Sequence, residues 1–226
     1  TGFAFTDEVS QEALIKAARA AGAVAKTQSS LVIAVDLREK LAGLKHLVEQ
    51  RPETIARPAK AEIVRRADEA ARGLSKEIRQ VSVLYADSAQ KVLLANSEGL
   101  LVRNERIYSR LTVQVVAMRN GVIQTGMEGP GGQMGFEFFR HNPPEEVARL
   151  AGERALTMLA ARPAPAGRMP VIIEAGSGGV LFHEACGHGL EADLVQKKAS
   201  VYLNRLGERV ASGIVTAIDD STINQG

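Results

Sequence analysis

The chain has 226 residues, 45% hydrophobic and 24% charged, enough to bury a real core and too apolar for general disorder. Its 28 basic and 26 acidic residues leave a net charge of +2, too balanced to point to a nucleic-acid or membrane-surface partner. Apolar runs such as Leu31 to Val35 are too short to span a bilayer, and the single cysteine, Cys186, excludes an intramolecular disulfide and fits a reducing, cytoplasmic setting. The opening Thr1-Gly-Phe-Ala-Phe is no signal peptide and carries no initiator Met, so the expectation is a stretch of a longer protein.

Four segments before the linker read as helices. The first runs from a cap at Thr6 or Asp7 to about Val24, with Ala13, Leu14, Ala17, Ala18 and Ala21 on one stripe. The second is marked by Leu37, Leu41, Leu44 and Val48 and stopped by Arg51-Pro52. The third begins near Pro58 and carries Ile63, Val64, Ala67, Ala70, Ala71 and Leu74 on one face. The fourth, capped by Asn142 with Pro143 and Glu145 in its first turn, buries Val147, Leu150, Ala151 and Met158 and ends near Arg162.

Between the third and fourth helices the period changes to two. Val81, Val83 and Tyr85 alternate with polar residues. Ile107, Ser109, Leu111, Val113 and Val115 face one way, while Tyr108, Arg110, Thr112 and Gln114 face the other. Asn96 to Gly99 reads as a turn, and Asn120-Gly121 signals a tight hairpin. The fold class is therefore α+β, with an antiparallel sheet over about 78–127 covered by helices. The glycine-rich 126–135 is a loop with a purpose beyond spacing. Arg162 to Gly167 is the best linker. A strand at Pro170–Glu174, a loop at Gly176–Gly179 and a helix from about Val180 follow, with a last strand at Ala211–Ile218.

The sharpest chemistry lies in HEACGHGLEAD at 183–193. His183 and His188 can hold a metal as neutral imidazoles, and Glu184 beside the first can accept a proton from water. At average residue frequencies such a motif arises by chance on the order of once in a hundred or more chains of this length. The spacing is unusual: residues i and i+5 of an ideal α-helix point about 140° apart, so they cannot share a small ion. Either Gly187 ends the helix before His188, or a π-type bulge brings the pair round together. The backbone at 184–188 is thus expected to depart from α geometry. Cys186 reads as a packing residue, and Glu191 and Asp193 are weaker oxygen-ligand candidates. His46 and His141 read as surface or hydrogen-bonded residues. Gly176–Gly179 lacks the Lys-Ser/Thr of a phosphate-binding loop.

The HEACGHGLEAD stretch, the preceding EAGSGGVLF and the later VTAIDDSTINQG resemble the metal-site half of the TldD branch of the TldD/PmbA family of metallopeptidases. TGFAFTDEVS, GPGGQMGFEFF and PAPAGRMPVII extend the resemblance over nearly the whole chain. The motif marks the TldD side, since the PmbA (TldE) branch lacks it. The resemblance implies His183 and His188 as zinc ligands and Glu184 as general base. It places the third protein ligand, a cysteine, downstream of these residues. It implies an N-terminal α/β domain over 1–162, truncated at its start, and the beginning of a C-terminal metallopeptidase domain over 163–226. It further implies a zinc-dependent peptidase of unfolded or short peptides, inactive as this stretch alone, acting with a PmbA/TldE-like partner chain or as a homodimer. The competing reading is a non-catalytic interaction module of the gyrase-modulator type; Glu184, which a scaffold does not need, separates the two.

Overall fold

The fold is that of a computed structural model describing residues 2–25, 35–41, 48–176 and 178–218. It comprises two compact units, Thr1–Lys45 with Gln90–Arg106, and His46–Ala89 with Ile107–Gly226.

In the first unit, helix α1 spans Gln11–Val24 and starts where Ser10 Oγ accepts a hydrogen bond from Ala13 N at 3.2 Å. Thr6 closes a turn of its own instead, accepting from Glu8 N at 3.1 Å, so the helix begins later than a cap at Thr6 or Asp7. Ala13, Ala17 and Ala21 form its half-buried stripe, whereas Leu14 and Ala18 are exposed. Arg38–Leu41 is a strand, β1, where a helix from Leu37 was expected. It lies parallel to residues 100–103, and Arg38 N donates to Gly99 O at 2.8 Å. Those sheet hydrogen bonds outweigh the helical preference of Leu-Arg-Glu-Lys-Leu. Leu44 and His46 lie outside the described residues. At the turn, Asn96 Oδ1 accepts from Glu98 N and Leu100 N at 3.0 and 3.1 Å, and Gly99 takes φ +84°.

The sheet is built from β2 (Ile78–Ala95), β3 (Leu100–Arg119), β4 (Val122–Glu128) and β5 (Gly131–Gly132), with β3 central. β4 and β5 run antiparallel to β3, but β1 runs parallel, so the sheet is mixed rather than purely antiparallel. Its parallel partner comes from the segment expected to be helical. The β3–β4 turn places Asn120 at φ 50° and Gly121 at φ 82°, the two left-handed residues that a tight hairpin requires.

The second unit holds the core. Helices α2 (Arg57–Gly73) and α4 (Pro144–Leu159) pack together, and α4 lies on β4. Ile63, Ala67 and Ala71 from α2 meet Leu111, Val113, Val115 and Ala117 from β3 and Val147, Ala148, Ala151 and Ala155 from α4. The period-two reading of β3 holds from Ile107 to Val115, and each buried Val or Leu contributes about 1.5–3 kcal/mol. Asn142 does not cap α4. Its amide donates back to Phe138 O at 3.2 Å, closing the short helix α3 (Phe138–His141), and Pro144 opens α4. Leu150 and Met158 are exposed, because the buried stripe is made of smaller residues that let the helix approach β4.

The glycine-rich segment is structural. A Cβ on Gly126 would sit 2.1 Å from Ala151 O, and one on Gly135 would sit 2.1 Å from Gln50 O. Beside Gly135, the buried Glu137 carboxylate accepts from Gln50 N and Gly135 N at 2.9 Å and from Glu49 N at 3.2 Å. Burial pushes its carboxyl up, but these backbone donors outweigh that and hold it below the ordinary carboxylate range.

Residues 161–166 carry no regular structure. The strands expected at Pro170–Glu174 and Ala211–Ile218 do not form among the described residues, and Val171, Ile172 and Ile214 are exposed. Short apolar stretches make a strand only where a neighbour supplies the ladder. Helices α5 (Gly179–Phe182), α6 (His188–Leu190) and α7 (Ala192–Gln196) follow, with one irregular turn between α5 and α6.

Candidate metal centre

That irregular turn is π-helical and spans His183–Gly187. Its signature is the His188 N–H donating to His183 O, five residues back instead of four. Gly187 does not end the helix: at φ −58°, ψ −50° it passes the chain on in helical conformation. Of the two ways in which the spacing could be reconciled with a shared ion, the structure uses the bulge. The extra residue in the turn brings His188 round to the face of His183.

The result is a compact donor set. The two imidazole centroids are 4.4 Å apart at an interplanar angle of 65°. Glu184 reaches between them, with Oε2 3.5 Å from His188 Nε2 and Oε1 4.0 Å from His183 Nε2. One donor atom from each of His183, Glu184 and His188 lies within 4.8 Å of the others, the one such group among the described residues. Bonds of about 2.0–2.1 Å around a tetrahedral ion put ligand atoms roughly 3.3 Å apart, so the set closes with modest rotation. All three side chains are about half exposed. Two imidazoles and a carboxylate on an open helix face fit a borderline divalent metal such as zinc.

The neighbours of the cluster set its shape. A Cβ on Gly187 would lie 3.5 Å from His183 Nδ1, an ordinary contact, so the His183 ring stands directly against Gly187. Glu191 Oε1 lies 2.9 Å from His188 Nδ1, on the nitrogen turned away from the cluster. Its hydrogen bond holds the His188 imidazolium above the ordinary histidine range. Asp193 pairs with Lys197 at 2.7 Å, and Cys186 is exposed. His141 closes α3, apart from the cluster in sequence and exposed.

Two residues without any sequence signal brace α6, which follows the turn. Ser200 Oγ donates to Gly189 O and accepts from Tyr202 N at 3.0 Å. The Tyr202 ring packs so closely on Gly189 that an added Cβ would stand 2.9 Å from Cε2. The contact of Glu191 with His188 was legible in principle, since residues three apart share a helix face.

Residues 50–159 match the profile of the PmbA/TldA metallopeptidase central domain, and residues 166–226 that of the PmbA/TldA metallopeptidase C-terminal domain. A Haemophilus influenzae protein named a metalloprotease TldD homolog is 32% identical over 229 residues, covering 99% of this chain and 48% of that protein. A metalloprotease of Methanocaldococcus jannaschii is 35% identical over 226 residues, covering 98% of this chain and 49% of the relative. The chain thus spans about half the length of the curated relatives it matches. Two solved structures share the fold. One, from Thermotoga maritima and described as a candidate modulator of a DNA gyrase, superposes with a TM-score of 0.67 at 21% identity over 88% of this chain and 43% of its own. Another of that description, from Bacteroides thetaiotaomicron, gives 0.69 at 17% identity over 92% and 48%.

Proposed function

The chain belongs to the PmbA/TldD family of metallopeptidases, and from that premise we propose that it carries the metal-binding helix of a zinc-dependent peptidase of the TldD type. The observation that supports this most directly is the π-helical turn that gathers His183, Glu184 and His188 on one face. A regular helix would have kept the two histidines apart.

In this reading His183 and His188 are metal ligands, and a third protein ligand comes from outside these residues. Bound zinc supplies Lewis acidity, lowering the pKa of water towards neutrality and polarising a carbonyl oxygen. Glu184 accepts the proton of the attacking water on a carboxylate oxygen and returns it to the departing amine. Its position beside both imidazoles suits that task, and a non-catalytic interaction module has no use for it. The substrates are unfolded or short peptides. A PmbA/TldE-like chain or a second copy is the partner, and the stretch 1–226 alone is inactive. We divide it into an N-terminal α/β domain over 1–162 and the start of the metallopeptidase domain over 163–226. The single, exposed Cys186 suits a cytoplasmic setting, and no helix among the described residues is long and apolar enough to cross a membrane.

The test is metal content of the full-length protein by mass spectrometry, wild type beside His183→Ala. The expected result is about one zinc per chain, the single catalytic ion of such sites, lost in the variant. No metal in either protein would leave the histidines structural and turn the reading towards an interaction module.

A further inference from the structure

Glu191 is tied to His188 at two points. Its backbone N–H donates to His188 O at 3.3 Å, ending α6, and its carboxylate Oε1 lies 2.9 Å from His188 Nδ1. The two contacts brace each other. The backbone bond fixes where the carboxylate starts, and the carboxylate fixes the rotation of the ring. Glu191 is itself anchored forwards, because its carbonyl accepts from Val195 N at 3.1 Å, the first turn of α7. Gly189, between the two partners, is held by Ser200 and Tyr202. The other ring nitrogen, Nε2, faces Glu184 at 3.5 Å and belongs to the cluster.

We propose that Glu191 is a positioning residue of the metal centre: it accepts the Nδ1 proton of His188, so that the ring presents Nε2, unprotonated, to the metal. The proposal rests on the metallopeptidase reading and assigns Glu191 no bond to the ion. A carboxylate in this place does two things. It selects the tautomer with hydrogen on Nδ1, and it raises the basicity of the coordinating nitrogen. It also holds an exposed imidazole in one rotamer, an entropic cost that metal binding would otherwise meet alone. The geometry weighs against Glu191 as an oxygen ligand: its Oε1 is engaged on Nδ1 of His188, whereas Nε2 is the nitrogen that approaches Glu184.

The experiment measures zinc affinity by chelator competition on the full-length metal-free protein, for wild type, Glu191→Ala and Glu191→Gln. Nitrogen-15 NMR of the His188 ring reports the tautomer. Loss of a second-sphere carboxylate costs roughly 10–100-fold in metal affinity. Glu191→Ala should fall in that range and lose the Nδ1–H preference. Glu191→Gln keeps a neutral acceptor and should lie between, which separates orientation from loss of fold. Wild-type binding with an unchanged affinity and tautomer in Glu191→Ala overturns this inference alone. A wild type that binds no zinc overturns the metal reading and this inference with it. Complete loss of zinc in both variants, with the fold retained, would make Glu191 a ligand and overturn the positioning role.

Discussion

His183 and His188 stand five residues apart in the chain, yet their ring centroids are 4.4 Å apart, because one extra residue is wound into the turn between them. The insertion is a geometric device with a testable consequence. Deleting Cys186 restores an i, i+4 spacing, which a regular α-helix already presents on one face. Inserting an alanine after Cys186 moves His188 to i+6 and turns it away. The deletion is expected to keep zinc affinity within about tenfold of wild type, whereas the insertion should cost more than the roughly 10–100-fold of a second-sphere change. Competition titrations on the full-length proteins check this. Equal loss in both would show that the π turn itself, rather than the shared face, is what the metal needs.

Glu184 is close enough to both imidazoles to act in either of two ways, as proton acceptor or as a ligand. Glu184→Gln distinguishes them, since the amide keeps shape and loses basicity. Metal stoichiometry is expected to stay at the wild-type level while peptide turnover falls by about 10²–10⁴, the usual contribution of a general base. Parallel metal analysis and single-turnover peptide cleavage read the two quantities. Loss of the metal would move Glu184 into the coordination sphere.

The parts of the molecule legible in its sequence are those where one local rule dominates. Alternation from Ile107 to Val115 marks a half-buried strand because one face meets α2 and α4, and Asn120-Gly121 marks its turn because both residues accept positive φ. The five-residue histidine spacing demanded an irregular turn, and His183–Gly187 is one. What was not legible depended on distant partners. Arg38–Leu41 has helical composition and becomes a strand only because residues 100–103 offer a ladder. Asn142 looks like a helix cap, but the carbonyl of Phe138 competes for its side chain. Glu137 reads as one acid among many, and its burial depends on Glu49 and Gln50, far away in the chain.

Gly126 shows how close α4 comes to β4. An added Cβ would meet Ala151 O at 2.1 Å and Ala155 N at 2.5 Å, both backbone atoms that cannot swing aside. Gly126→Ala must therefore push the helix off the strand, and overpacking of this kind costs about 1–3 kcal/mol or more. Gly121→Ala is the contrasting control: nothing lies within 4 Å of its Cβ, and only its φ of +82° is strained. Denaturant unfolding of the full-length protein should rank Gly126→Ala as the more damaging. The reverse order would mean that β4 and α4 separate easily.

Glu137 makes stability depend on acid. Its folded pKa is lowered, because backbone donors outweigh the cost of burial, so the unfolded chain binds the proton more readily. The contribution is fully present above the unfolded carboxylate value of about 4.3 and is lost as pH falls through the lower folded value. Glu137→Gln keeps one acceptor oxygen but has no charge, so the donors of Glu49, Gln50 and Gly135 are less well satisfied. At pH 7 the variant should be less stable by about 1.5–3 kcal/mol, the range for hydrogen bonds to a charged group. Towards pH 3 the difference should shrink, since the wild-type carboxylate then approaches its neutral form. Unfolding midpoints of the two full-length proteins across that interval measure the slope. A difference that stays constant with pH would show that Glu137 acts through its shape and not its charge.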